Sequence, residues 1–60
     1  MEKIICENFL GRNVGIDIGT NFYKGRLKKV NDESLILEMF NGKDVIISLD
    51  SIVAMREVSE

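Results

Sequence analysis

Residues 22–40 constrain the fold most, because they read as two strands joined by a polar turn, FYKGRLKKVNDESLILEMF. In the first strand, cations alternate with apolar or small residues, and strand periodicity places the two sets on opposite faces. Tyr23, Gly25 and Leu27 form one set, and Lys24, Arg26 and Lys28 form the other. Glycine weakens a strand unless the backbone bends sharply or another chain approaches closely, so Gly25 predicts one of these two features.

The later strands carry apolar residues on both of their faces. Residues 35–37 read Leu-Ile-Leu, residues 45–47 read Val-Ile-Ile, and residues 52–53 read Ile-Val. A strand in a small antiparallel sheet normally exposes one face to water. We therefore expect the N-terminal segment or a second subunit to cover the other face of these strands.

The length of the chain indicates one domain, residues 1–60, with a marginal core. A chain this short buries only about 60% of its unfolded surface, and small domains gain stability from disulfides, a structural metal or oligomerisation. A single cysteine, Cys6, excludes an intrachain disulfide, and the lack of histidine excludes a zinc site with the ordinary ligands. We therefore expect a homo-oligomer without a metal or a cofactor.

Composition bears on location and on partners. No run approaches the roughly 18 apolar residues of a membrane span, and the first residues, MEKIICE, do not resemble a signal peptide. We predict a cytoplasmic protein with no membrane partner. The net charge of −2 and the pI of about 5.0 disfavour general nucleic-acid binding, which neutralises phosphates. A local basic patch would still permit it.

The remaining pattern predicts a helix and three further strands. Residues 2–10 have apolar side chains at near-helical spacing and precede Gly11, which favours a short helix over an extended arm. Asn41-Gly42 predicts a type I′ hairpin turn with positive φ at both residues, and Asp50-Ser51 predicts a one-turn corner. We predict a mainly β fold, a short N-terminal helix followed by a five-stranded antiparallel SH3-like barrel. Its strands are expected at about 13–18, 22–30, 34–40, 43–49 and 52–57.

Two segments resemble the motifs of the Sm family, which comprises Sm, Lsm and Hfq-type proteins. The first motif is an apolar strand, a polar turn, and then an aromatic residue, a glycine and a leucine. The second is a short strand, a tight corner and a final apolar strand. The matching residues are Val14, Ile16, Ile18, Gly19, Tyr23, Gly25, Leu27, Val30 and residues 35–37 for the first motif, and residues 47–55 for the second.

This resemblance implies an Sm-like barrel that assembles into a homo-oligomeric ring and binds single-stranded RNA. Members that bind uridine-rich RNA usually carry Arg-Gly in the second motif, where this chain has Ser48-Leu49. Hfq-type members place a lysine and a histidine there, and this chain has no histidine. The resemblance therefore implies the fold and the assembly, but not the familiar uridine pocket.

The candidate contacts to RNA or another polyanion are Lys24, Arg26, Lys28, Asn31 and Ser34. We call the first three residues the basic stripe. Three cations at alternate positions on one strand face could follow a phosphate backbone. The alternative is a solvated face whose cations pair with acids on flanking strands, such as Asp17 or Glu38.

The polar turn at residues 31–34 also has more than one interpretation. Asn31 and Ser34 offer hydrogen bonds to a base edge or a ribose. The plain alternative is ordinary turn chemistry. A further alternative is a cation held by carboxylates that Asp32 and Glu33 would repeat around a ring.

Apolar residues of the later strands are the candidate oligomer interface: Leu35, Leu37, Val45, Ile46, Ile47, Ile52 and Val53. Edge strands of this character invite strand addition, and head-to-tail pairing that closes makes a ring.

Phe22 either stacks a base or packs under the helix or at a subunit contact. Cys6 is expected to be a buried apolar residue, and Asp50 to bond backbone N–H groups at the corner.

No catalytic constellation is visible in the sequence, because histidine, a nucleophile elbow and a phosphate-cradling loop are all missing. We therefore predict neither an enzyme nor a small-molecule substrate. The predicted function is an Sm-like ring that binds single-stranded RNA or another polyanion. The alternative is a structural or protein-interaction ring of the same fold that has lost RNA binding.

Overall fold

The computed structural model describes residues 1–58 and contains one short helix and one sheet. Its elements are α1 (Lys3–Glu7), β1 (Asn13–Asp17), β2 (Phe22–Val30), β3 (Ser34–Met39), β4 (Asp44–Ser48), a 3₁₀ turn (Leu49–Ser51) and β5 (Ala54–Glu57). The five strands pair antiparallel in the order β4-β3-β2-β1-β5. The predicted mainly β class, with five antiparallel strands and a short N-terminal helix, is confirmed.

The predicted barrel is not closed in the part of the chain that the structure describes. β4 and β5 lie at opposite ends of the strand order and do not pair with each other, so the sheet is open. Only the 3₁₀ turn and residues 52–53 separate the two strands in sequence. Such a short connection allows the chain to turn from one edge toward the other, but it leaves both edges without a strand partner.

α1 is shorter than the helix predicted at residues 2–10. It ends at Glu7, and residues 8–11 form turns. The Gly11 N–H donates to the Leu27 carbonyl at 2.9 Å, and the Leu27 N–H donates to the Arg12 carbonyl at 2.9 Å. This pairing with β2 takes the backbone out of the helical path. Cys6 is the buried residue of the helix, as the sequence predicts, whereas Ile4 and Ile5 are exposed.

The core lies on one face of the sheet, which we call the inner face. Alternation along β1, β2 and β3 brings buried side chains to this face, and α1 and the 3₁₀ turn close it. The buried apolar residues are Cys6, Val14, Ile16, Leu27, Leu35, Leu37, Ile47, Leu49 and Ile52. The opposite side, the outer face, carries Lys24 and Arg26, as the alternation predicts.

Gly25 marks the closest approach between β2 and β3. A Cβ placed on Gly25 would clash with the backbone carbonyl oxygen of Glu38, and it would lie 3.3 Å from Cγ of Leu37. The register between these strands shifts between Leu27 and Lys29, where a bulge bends the sheet. The prediction from Gly25 was a sharp bend or the approach of another chain. The structure shows instead that β3 of the same chain approaches this glycine, next to a bulge.

The β3–β4 hairpin uses a different turn from the predicted type I′. Among the described residues only glycines have positive φ, so Asn41 does not meet the requirement of that turn. Gly42 has φ of 84°, and its N–H donates to the Met39 carbonyl at 2.9 Å. This arrangement matches a three-residue loop in which a glycine follows a type I turn. β3 therefore ends at Met39, and Phe40 lies in the turn with 73% of its surface exposed.

Candidate functional site

The basic stripe lies on the outer face of β2, where its three side chains are exposed. Arg26 faces Glu38 of β3, and its Nη2 atom lies 2.9 Å from Oε1 of that carboxylate. Lys28 reaches across β3 to Asp44 of β4, with 3.1 Å between Nζ and Oδ2. Lys24 forms no ion pair with any residue in 1–58. Two of the three cations therefore form ion pairs with acids. The pair between Arg26 and Glu38 is one that the solvated-face interpretation predicts.

The polar turn between β2 and β3 is tied to its surroundings. The Asn31 N–H donates to the Ser34 carbonyl at 2.7 Å, and the Leu49 N–H donates to the Glu33 carbonyl at 2.9 Å. Lys3 of α1 lies 2.8 Å from Asp32, and the hydrogen bond and opposite charge lower the pKa of Asp32 and raise that of Lys3. These contacts give the turn a structural role, holding the helix and the 3₁₀ turn against β3.

The predicted interface residues divide into two groups. Leu35, Leu37, Ile47 and Ile52 lie in the core of the chain, and Val45 packs partly against it. They stabilise the protomer itself and present little surface to a neighbouring copy. Ile46 and Val53 are 70% and 68% exposed, so these two are the members of the set that a neighbour could contact. Ile46 is in the middle of edge strand β4, and Val53 directly precedes edge strand β5.

Phe22 lies on the outer face, where its ring packs over Gly15 of β1. A Cβ placed on Gly15 would lie only 2.6 Å from Cζ of Phe22, so the missing side chain is what allows the ring to lie against the strand. The ring remains accessible, since 53% of Phe22 is exposed. Phe22 therefore does not pack under the helix, and base stacking and a subunit contact both stay predictions for it.

Two cations flank this ring. Lys24 of β2 and Arg56 of β5 face Gly15 from its two sides, because β1 lies between β2 and β5. Neither cation forms an ion pair within residues 1–58. An open cleft of about 270 Å³ lies beside the ring and is lined by Gly15, Asp17, Phe22, Ala54, Met55 and Arg56. We call Gly15, Phe22, Lys24 and Arg56 the Phe22 platform.

Sequence reasoning identified Phe22 and Lys24 but missed the other half of the Phe22 platform. A glycine at an outward position of an alternating strand, as in Asn13-Val14-Gly15-Ile16-Asp17, was a usable signal for a ring packed on the backbone. Nothing local to Arg56 predicted its place, because its position depends on β5 pairing with β1. Asp17 lines the cleft, and its Oδ1 accepts a hydrogen bond from the Gly19 N–H at 2.7 Å.

Two further candidate residues have local roles. Cys6 is a free, fully buried cysteine, and burial raises the pKa of its thiol, which keeps it protonated and unreactive. The Asp50 carboxylate makes no hydrogen bond to the described residues, which differs from the predicted cap. The corner is instead closed by the Ile52 N–H, which donates to the Leu49 carbonyl at 3.3 Å.

The fold and these surfaces define a class of small β-rich domain, with one open five-stranded antiparallel sheet and a short N-terminal helix. The chain belongs to the family DUF6897, described as a domain of unknown function, whose model matches residues 1–58. Comparison with curated proteins gives no match, and comparison with solved structures gives none. Within residues 1–58, no helix is both long and apolar enough to cross a membrane.

Proposed function

We propose that this domain is a self-associating structural or protein-interaction module that assembles through its two edge strands. The observation that carries the proposal is Ile46, which is 70% exposed at the centre of edge strand β4. An edge strand presents unpaired backbone N–H and C=O groups, and an apolar side chain at its centre adds surface that gains from burial.

The position of the two edges favours head-to-tail assembly. β4 and β5 terminate the same sheet at opposite ends, and each has an exposed apolar residue on it or beside it, Ile46 and Val53. Pairing β4 of one copy with β5 of the next would extend the sheet across subunits. Such a contact makes a closed ring if its rotation closes. A homo-oligomeric ring is therefore part of the proposal.

The size of the chain favours the same conclusion. Sixty residues without a disulfide support only a marginal core, and burial against a second copy would add to it. A standard interface covers about 800 Å² per partner. That area is about a fifth of the 3998 Å² accessible surface of this chain.

The proposal includes an Sm-like assignment of the fold and a cytoplasmic location. The short N-terminal helix, the five antiparallel strands and the one-turn corner between β4 and β5 are consistent with the Sm-like assignment. A free buried thiol such as that of Cys6 is ordinary in the reducing cytosol. The proposal assigns no enzymatic activity and no small-molecule substrate.

Mass determination by light scattering, together with charge substitutions at each edge, tests the assembly. We expect a mass that is a multiple of 6.8 kDa for the unaltered chain, and monomers for Ile46→Glu and for Val53→Glu. The matched control is Phe40→Glu, because Phe40 is equally exposed but lies in a hairpin turn, and it should leave assembly intact. A monomeric unaltered chain would refute the proposal.

Mixing the two edge variants distinguishes a head-to-tail contact from a symmetric one. In a head-to-tail contact, Ile46→Glu leaves the β5 side intact and Val53→Glu leaves the β4 side intact. An equimolar mixture should therefore form a heterodimer, while each variant alone stays monomeric. A symmetric β4–β4 contact predicts no heterodimer, and that outcome would exclude the ring while retaining self-association.

Binding of single-stranded RNA or another polyanion through Lys24, Arg26, Lys28, Asn31 and Ser34 is the second candidate function. The exposure of all three stripe cations on one face favours it, and a ring would repeat them and strengthen binding through avidity. The ion pairs of Arg26 with Glu38 and of Lys28 with Asp44 count against it. Replacing the three cations with serine should abolish binding to oligo-uridine and oligo-adenine at low salt and leave the mass unchanged. Unaltered affinity would remove the basic stripe as the binding site.

A further inference from the structure

We infer that the Phe22 platform binds single-stranded nucleic acid, with a base stacked on the exposed face of Phe22 and the adjoining phosphates contacted by Lys24 and Arg56. This site shares only Lys24 with the basic stripe. It lies on the β2-β1-β5 part of the outer face, away from Glu38 and Asp44. The inference does not depend on self-association.

The ring of Phe22 packs on the strand beneath it. Its Cζ atom occupies the space that a side chain on Gly15 would fill, and Val58 lies on the same side of Gly15. The tip of the ring is therefore packed against the β1 backbone while the residue keeps half of its surface exposed. A ring that is packed on one side loses less conformational freedom on binding a base than a ring that is surrounded by solvent.

Two cations near the ring suit a nucleic-acid backbone, although Asp17 also lines the cleft, where its carboxylate accepts the Gly19 N–H. Lys24 and Arg56 face Gly15 from the two neighbouring strands, and neither is neutralised by an acid among the described residues. Adjacent strands lie about 4.8 Å apart, so the backbones of the two cations are separated by about 10 Å. Flexible side chains at that separation can contact successive phosphates on either side of one stacked base.

The chemistry of the cleft selects the class of ligand. An apolar peptide would cover the ring but would leave two cations unbalanced, whereas a polyanion with flat bases satisfies both features. The bases of a duplex are stacked on each other, so the ring can reach only single strands. The cleft is open, whereas small-molecule pockets bury most of the ligand surface, so it suits one base of a chain better than a free small molecule.

Fluorescence anisotropy with labelled oligo-uridylate and oligo-deoxythymidylate of about ten nucleotides tests the inference. We expect both to bind at low salt, with Phe22→Ile weakening binding about tenfold or more and Phe22→Tyr changing it less than about threefold, because only tyrosine keeps the stacking ring. Preference for the RNA strand would assign a 2′-hydroxyl contact, and equal affinity would assign base and phosphate contacts alone. Both results support the site.

Two further variants isolate its geometry. Gly15→Ala removes no functional group, but its new methyl would displace the tip of the Phe22 ring, so we expect a loss of binding in a chain with unchanged circular dichroism. The salt dependence of binding is the slope of log K against the logarithm of the salt concentration. Lys24→Gln with Arg56→Gln should reduce the magnitude of that slope by about 1.4, because two phosphate contacts are lost. Arg26→Gln with Lys28→Gln is the matched control, and it should change that slope by less than half as much.

Several outcomes would overturn the inference. Absence of binding to both strands at low salt would do so, as would equal affinity for the unaltered chain and Phe22→Ile. Greater loss in the Arg26 and Lys28 control than in the Lys24 and Arg56 variant would place the ligand on the basic stripe instead. Self-association that is lost in Phe22→Ile, without any oligonucleotide binding, would assign the ring to a protein contact.

Discussion

The outer face has two regions that differ in how their cations are paired. On the β2-β3-β4 part, Arg26 contacts Glu38 and Lys28 contacts Asp44. On the β2-β1-β5 part, Lys24 and Arg56 lie beside Phe22 and form no ion pair among the described residues. We call the first region the paired half; the second contains the Phe22 platform. Both regions present cations of the same type at the same kind of strand position. The neighbouring strand makes the difference, since β3 and β4 supply acids and β1 supplies a glycine.

This difference shows why a run of cations on one strand is a weak indicator of a polyanion site. A surface ion pair contributes only about 0–1 kcal/mol to stability, but it lowers the positive potential that a phosphate would meet. Cations on the paired half are therefore poorly suited to recruit an anion, although they are exposed. Lys24 and Arg56, beside Phe22, form no such ion pair among the described residues, although Asp17 lines the same cleft.

The largest expected effect is a difference in stability between alanine variants of two glycines, Gly25 beside the paired half and Gly15 in the Phe22 platform. Gly25→Ala should destabilise the fold by about 1–3 kcal/mol, because its Cβ meets the fixed carbonyl of Glu38. Gly15→Ala should cost less than about 1 kcal/mol, because its Cβ meets the movable tip of the Phe22 ring. Urea unfolding followed by circular dichroism measures both. Equal losses would mean that Phe22 is as fixed as the backbone and would weaken the comparison.

A smaller effect, on oligonucleotide affinity, is expected when the acids of the paired half are replaced so that its cations lose their ion pairs. Glu38→Gln with Asp44→Asn would release Arg26 and Lys28 and remove two negative charges from the outer face. We expect affinity for a single-stranded oligonucleotide to rise by roughly threefold to tenfold at low salt, and the gain to disappear as salt screens the charges. Retention on a heparin column gives an independent measure. Unchanged affinity and retention would show that the two regions do not differ through charge pairing.

The smallest effect concerns an exposed pair outside both regions, Lys3 and Asp32. The hydrogen bond from Lys3 lowers the pKa of Asp32. The contribution of the ion pair to stability is therefore present above the usual aspartate pKa, and it is lost as pH falls through the lowered pKa. The raised pKa of Lys3 means that the contribution is lost again as pH rises through that value. Asp32→Asn should therefore lower the melting temperature slightly near neutral pH. It should leave the melting temperature unchanged in strong acid and in strong base.

Glu33→Gln is the matched control for this last prediction, because Glu33 is the neighbouring acid and forms no ion pair within residues 1–58. It should leave the pH dependence of melting unaltered. A difference between Asp32→Asn and the unaltered chain that persists in strong acid would mean that the ion pair is not its cause. Such a result would also caution against assigning energy to the ion pairs of the paired half.

Much of the fold was predictable because the determining patterns are local. Alternation along residues 22–28 predicted which side chains face the core. Gly25 predicted a bend or the approach of another chain, and the structure shows the approach of Glu38 in the same chain. The helix and the β3–β4 turn were predicted less well. α1 stops early because Gly11 and Arg12 pair with Leu27, and the turn gains a residue because Asn41 does not adopt the positive φ that Gly42 adopts.

The sequence by itself determined the number of strands, the two faces of β2, and the lack of any intrachain disulfide. Period-two alternation and residue type are enough for these features. Only the tertiary structure decided which cations are balanced, that Leu35 is buried while Ile46 is exposed, and that Arg56 lies across Gly15 from Lys24. Those features depend on strand order and register, which arise from packing between residues that are distant in the chain.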